Sequence, residues 1–135
     1  MREIKFRAWD TAKKIMYSAG ELGKDELCLN PDGRDFVNVS SADQRFSQYM
    51  RHIVPLQYTG LKDKNGKEIY EGDIIRGERL HYYNYLKGLQ EAIIEWLHCG
   101  AWYPFANDDD GMPYPESEEC EIIGNIYENP ELLEP

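Results

Sequence analysis

The sequence predicts a small, mainly β fold built from short antiparallel strands and hairpins, and three observations support this prediction. Apolar and charged residues alternate at the start of the chain, where Ile4, Phe6 and Ala8 share one face. Glycine, proline, asparagine and aspartate recur between apolar runs, as turn residues do between strands. The chain has 135 residues, enough for one domain with its own hydrophobic core. We therefore expect a single domain over residues 1–135.

The first 40 residues predict a hairpin followed by an irregular segment. A strand from Glu3 to Trp9 is joined by turn residues to a second strand at 15–17. Residues 18–40 contain several glycines and a proline and show no sustained hydrophobic period. This segment is expected to be a long loop or an insertion with at most short strands.

One short helix is predicted after this segment. Ser41 and Gln44 have the spacing of a capping box, and four later apolar residues would share one helix face: Phe46, Met50, Ile53 and Val54. The helix is expected over residues 42 to about 51, because Pro55 disfavours helical backbone just before it.

The middle of the chain contains the strongest hairpin signal. Asn65-Gly66 stands between a strand near 56–61 and a return strand at 68–70, and both residues tolerate the positive φ of a type I′ turn. Ile74-Ile75 then opens another strand after Gly72, which can turn the chain sharply.

The remaining residues leave one alternative open. Residues 80–97 fit one face of a helix, whereas the run at 92–96 also fits a strand. The near-alternating stretch from Cys120 to Tyr127 predicts a final strand before the acidic end of the chain.

The charge distribution is strongly asymmetric, which the net charge of −10 does not reveal. Residues 1–87 carry all 15 lysines and arginines together with 13 acidic residues, whereas residues 88–135 carry 12 acidic residues and no basic ones. Such a segment repels phosphates and anionic lipid. Any nucleic-acid contact must therefore come from the first half.

The N-terminus lacks the apolar run of a signal peptide. No stretch approaches the roughly 18 apolar residues that are needed to cross a bilayer. We expect a cytoplasmic protein without a membrane partner.

Three blocks of sequence occur in order at the start, middle and end of the chain: Ile4–Asp10, Gln57–Asp73 and Ile123–Leu132. Together they resemble the signature of the YopX family of phage and prophage proteins. The resemblance implies an SH3-like barrel in a protein of the bacterial cytoplasm, and it favours a strand pair within 91–105. It implies no catalytic residue, and it leaves the structure of 18–40 and 77–90 open.

Few residues suggest catalysis or metal binding. The carboxylates of Asp108-Asp109-Asp110 could attract a hard cation, but in a calcium loop Ala106 and Ser117 would occupy required ligand positions, so we expect no metal. His98 and Cys99 are adjacent, and adjacent side chains on a strand point to opposite faces. No nucleotide-binding, hydrolase or metalloprotease motif occurs in the sequence. We expect no enzymatic activity and no cofactor.

Two groups of residues are candidates for binding a macromolecule. Lys62, Lys64 and Lys67 could neutralise phosphates beside tyrosines that stack on bases, although acidic residues dilute this patch. The second group could form a protein-docking surface, because Tyr and Trp combine a large contact area with a polar group; it consists of Tyr82, Tyr83, Tyr85 and Trp102.

The missing motifs predict an accessory protein without enzymatic activity, which binds a partner protein or self-associates, and the resemblance implies that phage or prophage genomes carry it. Two alternatives stay open: nucleic-acid binding through the basic first half, and mimicry of DNA by the carboxylates of 88–135. A contiguous anionic face would favour mimicry. Pairing of most of Glu91, Glu95, Glu119 and Glu121 with Lys or Arg would argue against it.

Overall fold

The structure is a computed structural model, and it describes residues 3–24, 27–29, 36–38, 48–50, 52–78, 80, 88–97, 101–105 and 116–133. These residues form a mainly β structure, which confirms the predicted fold class. The SH3-like arrangement implied by the resemblance stays a prediction. The helices among the described residues are α1 (Ala19–Lys24) and two 3-10 helices at Ser117–Glu119 and Pro130–Leu133.

Twelve strands are described, and the pairings between them are antiparallel. They are β1 (Phe6–Asp10), β2 (Ile15–Tyr17), β3 (Leu27–Leu29), β4 (Phe36–Asn38), β5 (Gln48–Met50), β6 (Ile53–Lys62), β7 (Glu68–Tyr70), β8 (Asp73–Glu78), β9 (Leu89–Ile93), β10 (Glu95–Leu97), β11 (Ala101–Tyr103) and β12 (Glu121–Asn125).

The chain divides into two compact units, which meet in sequence between Gln57 and Tyr58. We call the unit before this point the first unit and the unit after it the second unit. The prediction of one domain over residues 1–135 stays a prediction. No described helix is long and apolar enough to cross a membrane.

In the first unit, β1 is the central strand. It pairs with β2 on one edge, as the predicted hairpin requires, and with the first half of β6 on the other. The core of this unit contains buried and partly buried side chains from these strands and from α1: Ala8, Leu22, Ile53, Phe6 and Tyr17. The segment 18–40, predicted to hold at most short strands, contains α1 in addition to β3 and β4.

The helix predicted over 42–51 is wrong at its C-terminal end. Gln48–Met50 forms strand β5, which pairs with β4 in the three-stranded sheet β3-β4-β5. The β4 strand supplies hydrogen-bond partners for the backbone of this segment. A capping signal in the local sequence does not indicate this pairing. Residues 42–47 lie outside the described part of the chain.

In the second unit, β8 is the central strand of the sheet β12-β8-β9. Its residue Arg76 lies opposite Glu91 on one side and Glu121 on the other. The second half of β6 pairs with β7, and β10 pairs with β11. The strand pair expected within 91–105 is confirmed, and the helical alternative for 89–97 is wrong.

One face of the sheet β12-β8-β9 covers the core of the second unit. The buried side chains of this core are Ile69, Ile75, Leu80, Ala92, Ile94, Trp102 and Cys120. Gly77 faces this core, because a Cβ on Gly77 would lie 3.0 Å from the Cys120 Sγ. Side chains alternate along a strand, so Arg76 and Glu78 point away from the core. We call the face that carries them the outer face.

Candidate functional site

A buried carboxylate holds the β6–β7 hairpin to β12. The Asp63 side chain is 3% exposed. One carboxylate oxygen accepts the backbone N–H groups of Asn65 and Lys67 at 2.9 Å, and the other accepts that of Ile122 at 3.0 Å. Burial raises the pKa of Asp63, but these three donors and the Lys67 charge outweigh burial and lower it below the usual value.

The hairpin tip lies at Asn65-Gly66, as the sequence predicts, but its turn type differs from the prediction. Gly66 has a φ of 79°, whereas Asn65 is not among the residues with positive φ. The N–H of Gly66 donates to the carbonyl of Asp63 at 3.0 Å. A turn closed by this bond, with positive φ at Gly66 and not at Asn65, is not the type I′ turn expected from the dipeptide.

Two more buried polar side chains from the sequence blocks hold backbone in place. Asp73 accepts the N–H of Tyr70 at 2.8 Å and is 1% exposed. Asn125 accepts the N–H groups of Tyr127 and Glu128 at 3.0 and 2.8 Å. These groups shape turns and are committed to the backbone, which leaves little capacity for a reacting substrate.

The same role recurs in the first unit. The Asp10 carboxylate is 2% exposed and accepts the N–H groups of Ala12 and Lys13 at 2.9 Å. Burial raises the pKa of Asp10, but the two N–H donors, His52 at 3.9 Å and the Lys13 charge outweigh burial, so the pKa is lowered. Asp10 therefore closes the β1–β2 turn.

The predicted nucleic-acid residues lie on the β6–β7 hairpin and are exposed. Lys62 pairs in register with Glu68, and the Lys64 ammonium lies 3.5 Å from a Glu121 carboxylate oxygen. Lys67 adds its charge beside the buried Asp63 carboxylate. The three lysines are thus interleaved with acidic groups, which reduces their attraction for phosphates.

The outer face of the sheet β12-β8-β9 carries a row of charges across its three strands. Glu121, Arg76 and Glu91 are neighbours in register. The Arg76 guanidinium donates to Glu91 at 2.9 Å. Pairs of this kind are expected to contribute little to stability, about 0–1 kcal/mol each, because both partners are solvent-accessible.

A groove of about 270 Å³ lies on this outer face, all of it within the second unit. Its lining residues are Lys64, Arg76, Gly77, Glu78, Leu89, Glu119 and Glu121. Both basic side chains of the lining are neutralised by a carboxylate. Glu78 and Glu119 have no ion pair with any Lys or Arg that the structure describes. Leu89 is 71% exposed.

Of the four carboxylates that test DNA mimicry, two form an ion pair with a described Lys or Arg and two do not. Glu91 and Glu121 each form an ion pair with a basic residue from the first half of the chain. Within the described residues, Glu95 and Glu119 form none. The acidic second half is thus partly interleaved with basic side chains, and its segregation is incomplete.

The predicted aromatic surface has one described member, Trp102, and the structure corrects its position. Trp102 is 7% exposed and belongs to the core. Its cross-strand neighbour Trp96 is 48% exposed, and the two ring centroids are 4.7 Å apart in an edge-on arrangement. As register partners the two rings lie on the same face of the strand pair, where Trp102 packs in the core and Trp96 lies at its margin. Tyr82, Tyr83 and Tyr85 lie outside the described residues.

The described residues bear on the cysteine and metal predictions as follows: one cysteine, Cys120, has a described side chain, and the described acidic residues are scattered. Cys120 is buried and free, and burial together with Glu119 and Asp63 raises its pKa to about 11, which disfavours a nucleophilic thiolate. Across the described ranges, no group of three or more His, Cys, Asp or Glu residues could hold a metal ion. His98, Cys99 and Asp108–Asp110 lie outside them, so the expected absence of a metal stays a prediction.

Sequence reasoning missed the groove. Its residues come from three strands, a hairpin and a 3-10 helix, and their proximity depends on the register of β8 with β9 and β12. The signal in the sequence is one apolar residue, Leu89, between Lys87-Gly88 and Gln90-Glu91. That signal does not identify a site without the pairing.

The family model described as YopX protein matches residues 5–134. The crystal structure of protein EF1440 from Enterococcus faecalis is similar to this chain, with a TM-score of 0.61 and 28% sequence identity over 99% of this chain and 100% of that one. No curated protein matches the chain.

Proposed function

This chain belongs to the YopX family, and from that premise we propose that it is a non-enzymatic prophage accessory protein that acts by binding a partner protein in the bacterial cytoplasm. It needs no cofactor and no metal for this role. The groove on the outer face carries the proposal, because it combines a concave surface with charged walls and the exposed Leu89.

The buried carboxylates bind backbone N–H groups, and this structural role supports the non-enzymatic part of the proposal. Asp10, Asp63 and Asp73 are each committed to backbone N–H groups, and two of them have lowered pKa values. A carboxylate that stays ionised and saturated with donors is a poor general base. These three buried carboxylates therefore support a structural role better than a catalytic one.

Protein binding is favoured over nucleic-acid binding by the charge of the site. The groove and its immediate ion-pair partner Glu91 contribute two basic and four acidic side chains. Such a surface repels phosphates and attracts cationic side chains. The chain could instead bind a second copy of itself through the same face. A measurement of oligomeric state distinguishes this self-association from binding of a different protein.

The test is affinity capture from lysogenic bacteria with three baits: the wild-type chain, Leu89→Asp and the matched variant Leu133→Asp. Leu133 is also exposed, at 49%, but does not line the groove. We expect one protein to be retained by the wild type and by Leu133→Asp, and to be lost with Leu89→Asp. The absence of any specifically retained protein, together with a monomeric wild-type chain in sedimentation, would overturn the proposal.

A further inference from the structure

We propose that the groove on the outer face binds an extended segment of a partner protein in which a lysine or arginine stands next to an aliphatic residue. This inference rests on the proposed function and specifies its partner. It follows from the distribution of charge, the strand register and the exposure of a single apolar side chain.

The charge of the groove selects a cationic partner. Lys64 lies 3.5 Å from Glu121, and Arg76 lies 2.9 Å from Glu91, so both local cations already have an acidic partner. Glu78 and Glu119 line the same groove, and neither has a described Lys or Arg within 4 Å. Among the described residues, these two carboxylates are the charges of the groove without an ion-pair partner, and a cationic side chain complements them.

The register of β8 and β9 places an apolar contact beside one of these carboxylates. Glu78 and Leu89 lie directly opposite each other, two residues beyond the Arg76 and Glu91 pair. Opposite side chains in an antiparallel pair have Cβ atoms about 4.5–5.5 Å apart. A partner side chain that neutralises Glu78 therefore brings its neighbours within reach of the Leu89 methyl groups.

Leu89 offers a partner an apolar contact, independently of the charges of the groove. A leucine that is 71% exposed on the outer face loses water-accessible apolar area when an aliphatic side chain covers it. Removing apolar surface from water in this way favours binding. A peptide with a cationic and an aliphatic side chain complements both the carboxylates and Leu89. A polyamine or an inorganic cation complements only the carboxylates.

Nuclear magnetic resonance of the ¹⁵N-labelled full chain tests this inference with defined probes. The first probe is a short peptide of alternating lysine and leucine, and the two comparison peptides alternate lysine with glycine and glutamate with leucine. We expect the lysine–leucine peptide to shift the amide signals of groove residues, which include Gly77, Glu78, Leu89 and Glu119. The lysine–glycine peptide should bind more weakly, and the glutamate–leucine peptide should cause no shift there.

Two double variants with equal changes in net charge provide the matched comparison. Glu78→Gln with Glu119→Gln removes the uncompensated carboxylates, and we expect the Kd of the lysine–leucine peptide to rise about tenfold. Glu118→Gln with Glu131→Gln changes exposed carboxylates outside the groove and should leave the Kd within about twofold. Binding should also weaken as added salt screens the charges.

Each other outcome counts against the inference. Shifts confined to other residues, equal effects of the two double variants, or equal binding of the acidic peptide would overturn it. A dimer of the wild-type chain that Leu89→Asp dissociates would show that a second copy occupies the groove. A captured partner that Leu89→Asp retains would overturn this inference alone and leave the proposed function intact. The absence of any captured partner, together with a monomeric chain, would overturn both, because the inference rests on the proposed function.

Discussion

Asp63 and Ile122 are joined by a hydrogen bond of 3.0 Å from the Ile122 N–H to the Asp63 carboxylate, although 59 positions separate them in the sequence. The same carboxylate accepts two N–H groups of its own turn. One side chain thus shapes the β6–β7 hairpin and fastens it to the start of β12.

Replacing Asp63 should destabilise the chain substantially. Asp63→Ala removes the acceptor of three partly buried N–H groups, those of Asn65, Lys67 and Ile122, and we expect a loss of about 2–4 kcal/mol in the free energy of unfolding. Urea denaturation followed by fluorescence measures this loss. The control is Glu131→Ala, which removes an exposed carboxylate and should cost less than about 0.5 kcal/mol. Equal effects of the two variants would contradict the assigned role of Asp63.

The stabilisation by Asp63 should disappear in acid. The pKa of Asp63 in the folded chain is lowered below 3.8, so the folded state holds its proton less tightly than the unfolded state does. The contribution is therefore fully present above about pH 3.8 and is lost as the pH falls through the lower, folded-state pKa. Urea midpoints between pH 2 and 6 should show the wild type losing more stability than Asp63→Asn. Parallel pH profiles for the two chains would show that Asp63 does not titrate in this way.

Features that depend on neighbouring residues were predictable from the sequence, and features that depend on distant pairing were not. Asn65-Gly66 identifies its own hairpin, and Ile74-Ile75 identifies a buried strand. The link from Asp63 to Ile122 needs the arrangement of two segments that local patterns do not specify. The same limit explains Trp102, whose burial depends on core residues distant in the sequence, and β5, whose pairing with β4 outweighs the capping signal.

A pair of glycines separates backbone strain from a steric clash. Gly72 and Gly60 have the same φ of 86°, but a Cβ on Gly72 would lie 3.0 Å from the Tyr127 ring, whereas nothing lies within 4 Å of a Cβ on Gly60. We expect Gly60→Ala to cost about 1–2 kcal/mol from left-handed backbone. Gly72→Ala should cost at least about 1 kcal/mol more, because the ring must shift. Equal urea midpoints for the two variants would exclude a tight contact at Tyr127.

Cys120 should be unreactive in the folded chain. Its thiol is buried, and its pKa is raised to about 11, mainly by that burial, so very little thiolate exists near pH 8. In a Cys28→Ser and Cys99→Ser background, a disulfide reagent at pH 8 should label Cys120 only as urea unfolds the chain. The labelled fraction should follow the unfolding curve seen by fluorescence. Rapid labelling without urea would contradict the buried position.

The two tryptophans of the β10–β11 pair should differ in their contribution to stability. Trp102 is 7% exposed and packs in the core of the second unit, so Trp102→Ala should cost about 3–5 kcal/mol in the free energy of unfolding. Trp96 is 48% exposed and contributes mainly its edge-on contact with Trp102, so Trp96→Ala should cost about 1–2 kcal/mol. The urea midpoints of the two variants measure the difference. Because each variant removes one indole from the same cross-strand pair, loss of the contact itself is common to both. The excess for Trp102 therefore reports burial in the core, and an equal or larger effect of Trp96→Ala would mean that Trp96 is the core residue.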